Sequence, residues 1–311
     1  MQVVVLSKPG WHADQLCRAL AERGHAGRVL PYEGLVASLS AASSLSNGDA
    51  AILDADAVLA RFIPSGSLEQ IIYRLDALHW IEEHGVAVVN SPRAIERSVD
   101  KFYTDARLRE AGVTTPETLV CERIDDAMPA VRAMLERTSQ DGGERAIVIK
   151  PIFGSMGHGI VRVSDPDVAF RVLQSLDQIR AVFYIQRAVD SSGRDVRVFV
   201  VGGRVIGAIE RRAGDGDWRT NVSRGGSARA CDVPAGWAAL ALRAVAAVGA
   251  DYAGVDLLPS KDGRVFVLEV NGIPGWQGLQ RATGIDVAGT IVDYLLDRVR
   301  TPRRSEATMP V

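Results

Sequence analysis

Cysteine is scarce in this chain. The three present, Cys17, Cys121 and Cys231, lie far apart, which builds no metal-binding spacing, and their odd number argues against a disulfide framework. A reducing, cytosolic compartment fits this usage. An excess of charge of one sign is also missing. With 36 basic and 38 acidic residues the formal net charge is -2, so no global field favours nucleic acid or an anionic membrane. No run approaches the ~18 apolar residues that span a bilayer. The apolar start, Met1 to Leu6, is broken by Lys8, Pro9 and Gly10 before it reaches the length of a signal-peptide core. Internal repeats and low-complexity segments are absent. What is present is an ordinary globular composition, 47% hydrophobic and 24% charged over 311 residues, enough for two or three small domains.

The periodicity changes along the chain. Residues 2–6 read as a buried strand, followed by a helical pattern carrying Leu16 and Leu20. Val29-Leu30, Ala50–Leu53, Ala57–Phe62 and Val86–Val89 are further strand candidates, with a helix over Ile71 to Glu83. Strands alternating with helices predict a parallel α/β unit up to about residue 90. The serines and alanines at 37–46 suggest a loop or weak helix. Asn90-Ser91-Pro92 marks a helix start, and the helix runs over 93–111 to Gly112. Beyond it, strands at 146–150, 159–163, 182–186, 196–201 and 205–210 come in pairs, and Val201-Gly202-Gly203-Arg204 is a hairpin signal. The second part is therefore α+β with antiparallel sheet, and residues 301–311 read as a frayed tail.

Three constellations carry chemistry. The first is the segment 252–271, where Asp262-Gly263 marks a tight turn. With a two-residue loop there, Asp256 lies opposite Glu269; with the loop one residue earlier, it lies opposite Val267. In both registers Asp256, Glu269 and Asn271 share one face, and Val255, Leu257, Phe266, Leu268 and Val270 the other. Hard oxygen ligands without His or Cys suit Mg²⁺ or Mn²⁺. The same residues would also serve as the solvated face of a hairpin. The second constellation is a strand ending in Lys150, then a loop with Gly154, Ser155, Gly157 and Gly159, whose backbone N–H groups could approach phosphate oxygens. The loop is neither a dinucleotide fingerprint nor a Walker motif. Alone it equally fits a plain turn, and His158 within it an exposed loop residue. The third is a basic strand pair with Arg211, Arg212, Arg219 and Arg224 beside Asn221, suited to phosphate and carboxylate oxygens or to a solvated edge. Asp195 and Arg197, alternate residues of the preceding strand, face the same way.

Taken in order, these segments resemble the ATP-grasp superfamily, and within it the RimK-like amino-acid ligases. The resemblance covers residues 90–295. It rests on Asn90 to Lys101, the Lys150 to Gly159 loop, Gly193-Arg-Asp195-Val-Arg197, Ala208 to Ala213 and Trp218 to Asn221. It continues through Arg224-Gly-Gly226, Ala253 to Asp256 and Leu268 to Asn271, with Thr283 to Gly289 similar to the family's closing helix.

The resemblance implies an ATP-grasp fold behind an N-terminal Rossmann-like domain, α/β plus α+β. Its expected divisions are 1–90, a central part at 91–188 with the lid loop, and 189–300 with the metal site. It implies that Lys101 and Lys150 hold ATP phosphates under the loop of Gly154, Ser155 and Gly157. Gln186, Arg187 and Ala188 would line the adenine pocket, and Asp195 would meet the nucleotide near its ribose. Arg211, with Arg219, Thr220 and Asn221, would contact phosphates, acyl phosphate or amino acid. Asp256, Glu269 and Asn271 would bind Mg²⁺ or Mn²⁺, as a pair of ions. Two departures stand out: Arg187 replaces the family's acidic hinge residue, and Trp276 and Gln277 replace smaller or acidic residues in a loop that borders the substrate site.

The implied reaction transfers the γ-phosphate of ATP to a carboxylate. An amine then attacks the acyl phosphate, with Arg211 or Asn221 stabilising the tetrahedral oxyanion. L-glutamate is the expected amine substrate, and a small-molecule carboxylate, such as a tetrahydromethanopterin-type cofactor, the expected acceptor. A ribosomal or other protein tail is the alternative acceptor. Other ATP-grasp ligases, and a non-catalytic nucleotide-binding protein on the same fold, are the rival readings; the second predicts lost metal ligands, which are present here. Nucleic acid and membrane are not expected partners, and homo-oligomers are compatible with the family. A dehydrogenase is excluded because Leu6 to Gly10 lacks the glycine spacing of a pyrophosphate turn.

Overall fold

The computed structural model describes residues 1–140, 145–154, 159–214 and 227–301. Near the N-terminus, β1 (Gln2–Leu6), α1 (Trp11–Glu22) and β2 (Ala26–Leu30) form the first parallel unit. The stretch 37–46, expected as loop or weak helix, is loop at 39–43, while its ends belong to a small antiparallel sheet of β3 (Leu35–Ser38), β4 (Ser44–Asn47) and β5 (Ala50–Ala51). Leu35 and Leu45 are its buried anchors, and these sparse apolar residues carry too little periodicity to announce strands. Then follow β6 (Ala57–Ala60), α2 (Leu68–Glu83, with a Ser67–Gln70 capping box) and β7 (Ala87–Val89). The first sheet has the order β2-β1-β6-β7, and its three strand pairs are parallel.

The helix expected over 93–111 is two: α3 (Pro92–Val99) and α4 (Lys101–Glu110). Asp100 breaks it in extended conformation and caps α4 by accepting from the Tyr103 N–H at 3.0 Å. This break sets Lys101 at the first turn of a helix. Next come β8 (Thr118–Cys121), α5 (Ile124–Gln140), β9 (Ile147–Lys150), β10 (Val161–Val163), α6 (Pro166–Gln178) and β11 (Phe183–Arg187). Their antiparallel sheet has the order β10-β9-β11-β8, with α5 and α6 covering one face through Val131, Leu135, Leu173 and Ile185.

The third sheet has the order β14-β13-β12-β15-β16. It comprises β12 (Arg194–Val201), β13 (Arg204–Arg212), β14 (Ser227–Ala230), β15 (Tyr252–Pro259) and β16 (Val265–Asn271), with α7 (Ala235–Val248) between β14 and β15. The β12–β13 hairpin forms where Gly202-Gly203 predicted it. One face packs on α7 through Val198, Val255, Leu257, Val267 and Val270. The other face is divided: Phe199 and Ile209 enter a core shared with the first sheet, and charged residues occupy the remainder. That shared core also takes Trp276, α8 (Gln277–Thr283) and α9 (Val287–Arg300), so the C-terminal helices pack on the N-terminal sheet. Thr283 to Gly289 is not itself a helix. Gly284 ends α8 in left-handed conformation (φ 74°), and Asp286 caps α9.

Candidate active site

The β15–β16 hairpin keeps the Asp256–Glu269 pairing of the first register but reaches it through a three-residue loop and a bulge. Its loop is Lys261 to Gly263, closed by Ser260 N–H donating to the Arg264 carbonyl at 2.8 Å. Pairing runs Pro259↔Val265, Leu258↔Phe266, Leu257↔Val267 and then Asp256↔Glu269, which leaves Leu268 as the extra residue of a bulge. The bulge brings Asp256 opposite Glu269 and moves Val267 into the core face. Leu268 lines the same cleft as Glu269, and Phe266 lies under the Arg264 guanidinium, 5.3 Å from its ring centroid, so neither joins the α7 core as alternation required.

Across the free face run alternating charges. Arg211 on β13 donates from Nε and Nη2 to both oxygens of Asp195 on β12, each at 2.7 Å. Its Nη2 also meets Asp256 Oδ2 at 2.9 Å. Arg197 on β12 donates to both Asp256 oxygens, again at 2.7 Å. Bidentate guanidinium–carboxylate geometry of this kind is strong and directional. Asp195, Arg211 and Asp256 are all buried. Burial opposes the charge of Asp256, but Arg197 and Arg211 outweigh it and hold the carboxyl at about 2. Arg211 is locked in its charged form: burial opposes it, and Asp256 and Asp195 overcome that.

Glu269 continues the row toward two lysines. Lys150 closes β9 and donates to Gln186 Oε1 at 2.6 Å; Gln186 in turn donates to Thr118 Oγ1 at 3.0 Å. Burial pulls the Lys150 ammonium down to about 8, with Glu269 opposing and Lys101 adding to the fall. Burial likewise lowers Lys101, against Glu269 and Asp100. Lys101 Nζ donates to the carbonyls of Gly154 at 2.9 Å and Ile152 at 3.3 Å, tying the first turn of α4 to the start of the glycine loop. Lys101, Asp105, Tyr184, Leu268 and Glu269 line one narrow cleft. Beside Lys150 a small apolar floor of Ala146, Val148 and Ala188 forms, with Ile160 against it.

The structure thus brings Lys150 and Gln186 of one sheet, Asp195, Arg211, Asp256 and Glu269 of the next, and Lys101 from the first turn of α4 to one place, with Asn271 opposite Gly254 at the end of β16. Gly154 lies at the mouth. In the hinge, the Arg187 and Ala188 N–H groups donate to the carbonyls of Glu117 and Ala146. Ser155, Gly157, His158, Arg219, Thr220, Asn221 and Arg224 lie outside the described residues. Trp276 is fully buried, 0% exposed, against Phe199 and His12, so its ring serves as core rather than as an exposed wall of the loop.

Sequence reasoning missed two features. Asn90 is more than a helix breaker: its Oδ1 accepts from the Asp251 and Tyr252 N–H groups at 2.6 and 2.9 Å, and its Nδ2 donates to the carbonyls of Tyr252 and Gly272. It fastens β15 to β16 beside the site. Glu210, buried on the opposite face of the sheet, is held by Arg194, Arg212 and Arg229 at 2.7, 2.8 and 3.0 Å. Burial works against its charge, and those three arginines still hold it at about 2. Arg212 is therefore part of that cluster, where the sequence grouped it with Arg211.

Among the described residues no three His, Cys, Asp or Glu side chains gather as a cation cage. The candidate set has two carboxylates and the Asn271 amide, all oxygen donors, and Asp256 demands a cationic partner, supplied here by Arg197 and Arg211. That chemistry fits a hard divalent cation.

Comparison with known proteins agrees with this geometry. The RimK-like ATP-grasp domain family matches residues 98–295. The tetrahydromethanopterin:alpha-L-glutamate ligase of Methanosarcina acetivorans is 32% identical over 325 aligned positions, covering 94% of this chain and 97% of that protein. A "probable alpha-L-glutamate ligase" of Enterobacter sp. is 33% identical, covering 97% of both. Among solved structures, the ATP-grasp ligase PsnB in complex with a minimal precursor superposes with a TM-score of 0.73 at 24% identity, covering 96% of this chain and 98% of that one. At that identity the likeness shows the fold alone. The chain belongs to the RimK-like ATP-grasp family, and it is an ATP-dependent ligase that forms carbon–nitrogen bonds. The fold implies ATP and Mg²⁺. No helix among the described residues is long and apolar enough to cross a membrane.

Proposed function

We propose that the protein joins the amine of L-glutamate to a carboxylate of a small organic acceptor, through an acyl phosphate made from ATP. The acceptor placed first is a tetrahydromethanopterin-type cofactor, on the names of the archaeal relatives. The observation that carries the reading is the row Asp195–Arg211–Asp256–Arg197 on one sheet, with Glu269 set toward Lys150 of the other and Lys101 of α4.

A carboxylate is a poor electrophile, and phosphorylation supplies the leaving group. Lys101 and Lys150 would neutralise ATP phosphates, and both are desolvated, which strengthens their pull on an anion. The Ala146, Val148 and Ala188 floor is a dry seat for adenine beside Lys150. Asp256, Glu269 and Asn271 would hold magnesium, or manganese, as one or two ions that neutralise charge on the transferred phosphoryl group. Arg211, fixed by Asp195, would face the oxyanion formed when the amine attacks. Nothing in this scheme needs a covalent enzyme nucleophile, and a reducing cytoplasm suits the three free thiols.

The test is incubation with Mg-ATP, isotope-labelled L-glutamate and a host extract, followed by mass spectrometry. Label on a small molecule, lost in Glu269→Gln, supports the reading and identifies the acceptor. Label on a protein moves the acceptor to a polypeptide tail. ADP formation only with other amino acids removes glutamate.

A further inference from the structure

Two buried guanidinium groups stand outside the site described so far. Arg61 is the residue after β6 and Arg74 lies on α2; each is 5% exposed. Arg61 donates to the Tyr252 hydroxyl and the Pro274 carbonyl at 3.3 Å and lies 4.5 Å over the Trp276 ring. Arg74 donates to the Pro64 carbonyl at 2.8 Å. These partners are neutral, and among the described residues neither arginine forms an ion pair with a carboxylate. Other buried charges among the described residues are matched, Arg211 by Asp195 and Asp256, and Glu210 by Arg194, Arg212 and Arg229. A buried cation without a counter-ion is costly, and such a cost persists where a ligand supplies the missing charge.

Their place in the fold is where a ligand belongs. The chain leaves β1 outward to β2 and leaves β6 outward the other way to β7, so the winding reverses between β1 and β6. In open parallel sheets the crevice beyond the carboxyl ends at that reversal is the ligand site. Arg61 sits there, its N–H donating to the Leu6 carbonyl at 2.9 Å. Both arginines act on one neighbour: burial raises the Tyr32 phenol, and Arg61 and Arg74 each pull it back. Trp276 adds a fully buried Nε1 with no partner. Around them Lys8, Phe62, Ser65, Gly66 and Gly275 are exposed, so the pair lies just beneath the surface. The crevice also adjoins the reaction centre. A Cβ placed on Gly254 would stand 3.1 Å from Pro274 Cβ and 3.4 Å from Arg197 Cδ, and Arg197 holds Asp256.

We propose that Arg61 and Arg74 form a subsite for a non-reacting carboxylate of a substrate, at the carboxyl edge of the first sheet. This rests on the ligase reading, and the carboxylate comes either from the amino acid or from the acceptor. Entry of the anion supplies the charge the arginines lack and anchors the substrate beside Asp256.

The experiment is calorimetric titration and thermal melting of the wild type, Arg61→Met and Arg74→Met, with Mg-AMPPNP bound. The probes are glutarate, a plain dicarboxylate, then L-glutamate and the dipeptide Glu-Glu. The subsite predicts that each variant melts at or above the wild-type temperature, because an unmatched buried charge is gone. It also predicts that glutarate affinity falls at least about tenfold, as for a lost charge-assisted contact. A matching loss for L-glutamate assigns the carboxylate to the amino acid, and for Glu-Glu to the acceptor. Loss of glutarate binding without any glutamate incorporation keeps the subsite and removes the glutamate reading. Wild-type affinities in folded variants, a lowered melting temperature with affinity kept, or no glutarate binding by the wild type would each overturn the proposal. Should either Met variant fail to fold, Arg61→Lys and Arg74→Lys keep the charge and lose the planar fork. They must then weaken glutarate several-fold, and unchanged affinity refutes the subsite.

Discussion

Asp195 shows how far a motif carries. The resemblance placed it near the nucleotide ribose, yet both of its oxygens are taken by Arg211 at 2.7 Å. Its position in the chain was legible; its partner was not, because the partner sits on the neighbouring strand. Asp195→Asn therefore leaves Arg211 half-paired, and we expect a loss of about 2–3 kcal/mol of stability by denaturant titration. The turnover number should fall while the KM for ATP moves little, and discrimination against 3′-deoxy-ATP should stay as in the wild type. A raised KM for ATP with that discrimination abolished would return Asp195 to the ribose. Arg61 and Arg74 were invisible to the same reasoning, since a lone arginine after an apolar strand carries no spacing signal.

At the scale of the element, alternation was a good guide until a bulge intervened. It placed Asp256, Glu269 and Asn271 on one face, and the structure agrees. It misplaced Val267, Phe266 and Leu268, because one extra residue inverts every assignment on its turn-side half. The Gly202-Gly203 turn and the parallel β1, β2, β6 and β7 were readable from local chemistry alone. The β3–β4 ribbon was not, being held by Leu35 and Leu45 against a distant core. Asn90 illustrates a long-range clasp of the same kind. Removing its side chain in Asn90→Ala strands buried groups on Asp251, Tyr252 and Gly272, and about 3 kcal/mol of stability should go with them. Amide exchange in β15 and β16 near those residues should accelerate; unchanged protection there would show that the clasp does not hold the hairpin.

For the molecule as a whole, the union of the first sheet with the C-terminal helices matters most. His12, Trp11, Phe199 and Trp276 form the seam, and the Trp276 backbone N–H donates to His12 Nε2 at 3.3 Å. Burial, aided by Arg61, lowers His12 to about 4 from its usual 6.5. Between these values the unfolded chain binds the extra proton and the folded one does not. Stability is therefore complete above pH 6.5 and falls as pH drops toward 4. Because His12 is partly exposed, the expected loss is roughly 1–2 kcal/mol. Chemical denaturation across that range should show the slope, and His12→Gln should flatten it. An unchanged slope in the variant would place the acid sensitivity elsewhere.

Activation of a carboxylate as an acyl phosphate moves one carboxylate oxygen to phosphate, which ¹⁸O makes visible. Once the extract experiment has identified the acceptor, its carboxylate is labelled with ¹⁸O and turned over with Mg-ATP and L-glutamate, and the products are read by ³¹P NMR. ADP and inorganic phosphate are expected in amounts equal to the amide formed, with one ¹⁸O carried into each phosphate. AMP and pyrophosphate, or phosphate without ¹⁸O, would contradict activation by this route.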